Sequence, residues 1–94
     1  MHIEFPSDDI LAAPALTVDQ FQQEPEAGLV YSVSSLDDYQ PDDPMFYEQW
    51  EAEAVAAAKS AIYDDVVVVE AWHHGYDPLR VAVYIDGEAF IRTE

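Results

Sequence analysis

Two adjacent histidines, His73-His74, and four aspartate pairs, Asp8-Asp9, Asp37-Asp38, Asp42-Asp43 and Asp64-Asp65, are the residues whose types and spacing admit chemistry. His73-His74, with Glu70 and Asp77 close in the chain, offers metal ligands. Adjacent residues on extended backbone point to opposite faces, so the two imidazoles chelate one ion poorly. They read instead as exposed loop histidines. The Asp37–Asp43 stretch lacks the D-x-D-x-D-G register of a calcium loop and has no glycine. It condenses cations weakly rather than holding one. Paired carboxylates also act as general acid and base, but twenty acidic side chains produce such pairs by chance. No serine lies in a nucleophile elbow. Three glycines do not build a phosphate cradle, and the lack of cysteine removes thiolate and disulfide chemistry. The residues therefore predict no catalytic group, no metal and no cofactor, and the expectation is a non-enzymatic protein.

What remains is the charge itself. Only Lys59, Arg80 and Arg92 oppose the twenty carboxylates, and the formal net charge is −17 over 94 residues. A protein that binds DNA or RNA neutralises phosphates with Lys and Arg, so direct nucleic-acid binding is excluded. Anionic membrane surfaces are disfavoured for the same reason. The partner this charge fits is a basic surface. Between Asp37 and Glu53 there is no basic residue at all. The candidate partner-binding residues are Asp37, Asp38, Asp42, Asp43, Glu48, Glu51, Asp64 and Asp65, with Tyr39 and Tyr47 adding rigid contact area among the acids. Carboxylates at i and i+3 of a helix, such as Glu48 and Glu51, stand about 5–6 Å apart at Cβ. Such a row with flanking Asp pairs imitates a run of backbone phosphates, associates quickly by steering and weakens as salt rises. Helix capping and the macrodipole account for Asp42, Asp43 and Glu48. They do not account for the near absence of neutralising bases, since ordinary surfaces mix both signs.

The elements that must position these side chains can be read from the hydropathy pattern. Ile3 and Phe5 alternate with His2 and Glu4 as a short edge strand, and Ser7 caps a brief turn through Leu11. Thr17-Val18-Asp19-Gln20 is a capping box opening a short helix from Val18 to Gln23. Gly28 to Ser34 reads as a strand, and Ser35 to Pro44 as a loop. Asp43 as N-cap and Pro44 at N1 predict a long helix to about Tyr63. Tyr47, Trp50, Ala54, Ala57 and Ala61 recur at helical spacing as its core stripe, with Glu48, Glu51 and Lys59 toward solvent. Val66 to Trp72 reads as a central strand. Leu79 to Ile85 and Glu88 to Thr93 form a hairpin around Asp86-Gly87, which places Val83 opposite Phe90 and Val81 opposite Arg92. Trp50 and Trp72 are expected in the core, meeting where helix crosses sheet. Arg80 and Arg92 are each expected beside a carboxylate.

One α+β domain covering residues 1–94 follows: an antiparallel sheet of three to five strands, one long helix packed on one face and a short N-terminal helix. Half the residues are hydrophobic and 13% are aromatic, so a packed core forms despite the charge. Val67, Val69, Tyr84 and Ile91 are expected to make the second sheet face apolar enough for a homodimer. The N-terminal residues lack a basic region followed by a long apolar run, and no apolar stretch reaches a transmembrane length, so a soluble cytoplasmic protein is expected.

In size, charge and α+β layout the whole chain resembles the small acidic proteins that phages and mobile elements use against host defence, the anti-CRISPR and anti-restriction inhibitors. That resemblance implies a non-enzymatic inhibitor in the bacterial host cytoplasm. It would occupy the basic nucleic-acid-binding surface of a defence or nucleic-acid-processing complex, as a DNA or RNA mimic. Two other readings fit the same composition. One is an interaction module that recognises its partner through an apolar patch. The other is a salt-adapted domain whose acids serve solubility.

Overall fold

A computed structural model describes residues 16–24, 26 and 28–91. The expected strand around Ile3 and Phe5, the turn after Ser7 and the positions of Asp8-Asp9 and Arg92 lie outside these residues. In chain order the elements are β1 (Leu16–Thr17), α1 (Val18–Gln23), β2 (Val30–Ser35), β3 (Pro44–Phe46), α2 (Gln49–Ile62), β4 (Val66–Trp72), β5 (Leu79–Ile85) and β6 (Glu88–Ile91). The strands form one six-stranded sheet in the order β1-β3-β2-β4-β5-β6. Each described neighbour pair is antiparallel. The α+β class holds, with six strands in place of three to five.

The Val-rich run forms the centre because its residues bury on both faces, and β4 pairs with β2 on one side and β5 on the other. One face carries Val33, Phe46, Val67, Val69, Ala82 and Tyr84, and α2 packs there through Ala52, Val55 and Ala56. Burying a Val-sized side chain contributes about 1.5–3 kcal/mol. The other face carries Val30, Met45 and Trp72, and α1 closes over them with Phe21. Val67, Val69 and Tyr84 therefore belong to the core under α2 and are not available for the homodimer face expected from the sequence.

The helix α1 spans the expected residues. Thr17 Oγ1 accepts from the Gln20 backbone N–H at 3.2 Å, and Gln20 Oε1 accepts from the Thr17 N–H at 3.0 Å, closing the capping box. The α2 helix differs at both its start and its face. Pro44 and Asp43 do not open it. Residues 44–46 form β3 instead, with Met45 opposite Ser32 and Phe46 opposite Tyr31. Successive strand side chains point to opposite faces, so Met45 and Phe46 each fill one core. That burial outweighs a capping signal of about 1 kcal/mol. The cap residue is Glu48, and its side chain makes no capping bond.

Of the expected core stripe of α2, the aromatic end is turned outward, Ala54 and Ala61 are half-buried, and Ala57 packs against the core. Trp50 is 63% exposed and Tyr47 57%. The sheet face below α2 is already filled by Phe46 and Tyr84, so small side chains must meet it, and Ala52, Val55, Ala56, Ala58 and Ser60 do. Trp50 and Trp72 consequently do not meet. Trp72 belongs to the α1 side, where its indole N–H donates to Ser32 Oγ at 2.9 Å.

The β5–β6 hairpin matches expectation at Val83 opposite Phe90. Asp86 and Gly87 both have positive φ, 51° and 80°, as a two-residue turn of this hand demands. The β4–β5 pairing is interrupted: Val69 faces Ala82, but Glu70 faces Arg80, leaving Val81 as an extra residue. This bulge moves Arg80 to the face that carries Glu70 and Trp72, whereas regular pairing would have turned it toward α2.

Within the main core, the Tyr84 hydroxyl donates to Glu53 Oε1 at 2.6 Å. Burial first, and then the bonded and charged Glu53, raise the phenol well above its ordinary range. An unfolded tyrosine titrates near about pH 10. The stability Tyr84 contributes is thus complete below about pH 10 and is lost as pH rises toward the higher folded value. Tyr84→Phe is expected to cost about 1.5 kcal/mol at neutral pH. It should also flatten the loss of stability between about pH 10 and pH 12, as measured by urea unfolding at each pH.

Candidate functional site

Three segments far apart in sequence converge at one end of the sheet. After β2, a tight turn carries Asp37 and Asp38, closed by the Asp38 N–H donating to the Ser35 carbonyl at 3.2 Å. The Leu36 N–H donates to the Val66 carbonyl at 2.9 Å, which brings that turn beside the start of β4. There Asp64 and Asp65 leave the C-terminus of α2, and Ser35 Oγ donates to the Asp65 carboxylate. Ile85 pairs with Val66 and with Glu88, so the Asp86 turn and Glu88 stand at the same end. The Gly87 N–H donates to Ser60 Oγ at 2.9 Å and locks this turn to α2. Asp37, Asp38, Asp64, Asp65, Asp86 and Glu88 thus share one end, with Lys59 in the last turn of α2 as the base nearest in the chain to Asp64 and Asp65 among the described residues.

The other candidate acids are placed elsewhere. Glu48 and Glu51 lie at the N-terminus of α2, so the helix separates them from Asp64 and Asp65 by about 20 Å. Tyr47 is beside them and exposed. Asp42 is exposed in the loop before β3, while Asp43 is buried. The Asp43 carboxylate accepts from the Gln40 backbone N–H at 2.9 Å, so it shapes the loop rather than capping a helix.

The same loop folds over the α1 face of the sheet and carries Tyr39 with it. The Tyr39 hydroxyl accepts from Arg80 Nη2 at 3.0 Å and lies 3.4 Å from Glu70 Oε2. Arg80 Nε stands 3.8 Å from the same carboxylate oxygen, the carboxylate neighbour expected for this arginine. Glu70 itself is only 9% exposed. Beside it opens a cleft of about 520 Å³ between α1, the loop and β4, walled by Val18, Trp72 and Pro78 and carrying Asp19, Asp43 and Glu70.

The histidines divide. His73 is exposed, tilted against Tyr76 with ring centroids 5.4 Å apart. His74 is not an exposed loop residue: its ring stacks on Phe21 at 4.1 Å, and its Nε2 is buried without a hydrogen-bond partner among the described residues. No group of three or more His, Asp or Glu among the described residues is placed to hold a metal ion.

The sequence reading missed Asp86, Glu88, Asp19 and Glu70. Strand order alone brings the first two to the acidic end. Glu70 carried a signal, as a lone charge inside an otherwise apolar run, Val66 to Trp72.

An antiparallel α+β sheet with a helix on each face is the class that this fold defines. Comparison with protein-family models, with curated proteins and with solved structures yields no match. Among the described residues no helix is long and apolar enough to cross a membrane.

Proposed function

We propose that this chain is an acidic binding protein that occupies the basic nucleic-acid-binding surface of a bacterial defence or nucleic-acid-processing complex and inhibits it by taking the place of DNA or RNA. The observation that carries this reading is the convergence of six carboxylates from three segments on one end of the sheet, with only Lys59 close in the chain to oppose them among the described residues. Such a field attracts a cationic groove over a Debye length of about 8–10 Å at ordinary salt. It also repels free nucleic acid.

The test is capture from bacterial lysate on the immobilised protein, with washes at low and then high salt. A nucleic-acid-handling complex that leaves with salt and is displaced by added DNA or RNA is the expected result. A partner retained through molar salt would replace this reading with that of an apolar interaction module. One observation favours that second reading: Tyr47, just before α2, and Trp50, in its first turn, both stand exposed.

A further inference from the structure

We propose that the cleft between α1, the β2–β3 loop and β4 is a seat for a guanidinium group presented by a partner protein. The proposal deepens the reading above, resting on it only for the basic character of the partner.

The cleft is lined by Asp19, Asp43 and Glu70 and by no Lys or Arg. Glu70 is the decisive group. A carboxylate that is nine-tenths buried ordinarily collects several donors, because burying an unpaired charge is costly. Here the compensation is thin. Arg80 Nε stands 3.8 Å away, beyond hydrogen-bond reach, and the Tyr39 hydroxyl is 3.4 Å away. Both approach Oε2, and Oε1 has no hydrogen-bond partner among the described residues. Arg80 also spends Nη2 on Tyr39 at 3.0 Å. Acceptor capacity is therefore left over at Oε1 of a rigid, mostly buried carboxylate that lines the cleft.

The walls select among cations. Trp72 is fixed by its bond to Ser32 Oγ and by Phe21, whose ring meets it edge-on at 6.2 Å. Trp72 and Tyr39 offer π faces, and Val18 and Pro78 offer apolar surface. A planar, weakly hydrated guanidinium on an apolar stem matches that combination better than a compact, strongly hydrated ammonium. At about 520 Å³ the cleft admits an arginine side chain with room for its backbone.

Trp72 is also the reporter. In a Trp50→Phe background it is the only tryptophan in the chain, and Trp50 is exposed enough to be replaced without loss. The full chain is titrated at low ionic strength with N-acetylarginine amide, and with N-acetylcitrulline amide as the uncharged isostere. The expected result is a saturable change in Trp72 fluorescence with the arginine compound only, with Kd raised at least about tenfold by Glu70→Gln. Asp19→Asn, at the exposed rim, should raise Kd by a smaller factor, and it decides the matter if circular dichroism shows that Glu70→Gln is not folded. An equal response to both compounds, no saturation, or indifference to the carboxylate variants would overturn the proposal. Arginine-specific binding without any salt-labile lysate partner would sink the inhibitor reading and leave the cleft standing. The opposite pair of results would do the reverse.

Discussion

Phe21→Ala is expected to lower the free energy of unfolding by about 3–5 kcal/mol, the usual range for deleting a fully buried aromatic ring. Phe21 is 2% exposed and forms the smaller core with Val30 and Met45. Its ring stacks on His74 and meets Trp72 edge-on. The helix that carries it has six residues, far too few to persist without tertiary support. Removing the ring thus removes the anchor of α1, and with it one wall of the cleft beside Glu70. Urea unfolding followed by circular dichroism measures the loss. Trp50→Phe provides the contrast, with an expected change within about 0.5 kcal/mol because its side chain faces solvent. Comparable losses for the two variants would mean that α2 buries the opposite face from the one described.

The second large effect concerns binding. Asp37→Asn, Asp38→Asn, Asp64→Asn and Asp86→Asn combined remove four charges from the acidic end while keeping side-chain shape. Asp64 and Asp86 both have φ of 51°, a left-handed conformation that asparagine adopts readily, so the backbone survives the change. Asp65 is retained because it accepts from Ser35 Oγ. The association rate with the captured basic partner is expected to fall by about tenfold or more, with a shallower dependence on salt, while stability holds or rises as self-repulsion eases. Stopped-flow association at several ionic strengths measures it. The matched control is Glu48→Gln with Glu51→Gln at the far end of α2. If the control slowed association as much as the fourfold variant, net charge alone would explain binding and the acidic end would lose its special role.

Local signals were legible in the sequence, and long-range ones were not. The capping box at Thr17, the Val66–Trp72 strand and the Asp86-Gly87 turn depend on neighbouring residues, and each stands where its pattern puts it. The α2 start failed because Asp43-Pro44 carries a valid capping pattern that tertiary burial of Met45 and Phe46 overrides. The stripe failed because Trp50 and Ala54 on one side, and Val55 and Ala56 on the other, are both apolar at helical spacing. Only the filled sheet face below decides between them. The acidic set was partly legible. The Asp pairs were visible, but their grouping required the strand order, which adds Asp86, and the true start of α2, whose length sets Glu48 and Glu51 apart from Asp64. The cleft was invisible, since α1, the β2–β3 loop and β4 meet only in the folded chain, and the placing of Arg80 beside Glu70 depends on a bulge at Val81 that alternation along β5 does not show.

The place of β4 between β2 and β5 also governs how quickly the molecule assembles. The β4–β5–β6 meander joins neighbours in the chain, whereas β2 must find β4 across all of β3 and α2, pairing Ser35 with Val67 and Val30 with Trp72. Closing that long loop costs chain entropy before any contact rewards it, which puts folding of such topologies toward the millisecond-to-second range. The turn carrying Asp37 and Asp38 must meanwhile be delivered against Asp64 and Asp65, so this long-range pairing is also the one that brings like charges together. Cations in the surrounding solution therefore act as a folding aid for this chain, speeding the same step whose completed product is the acidic end.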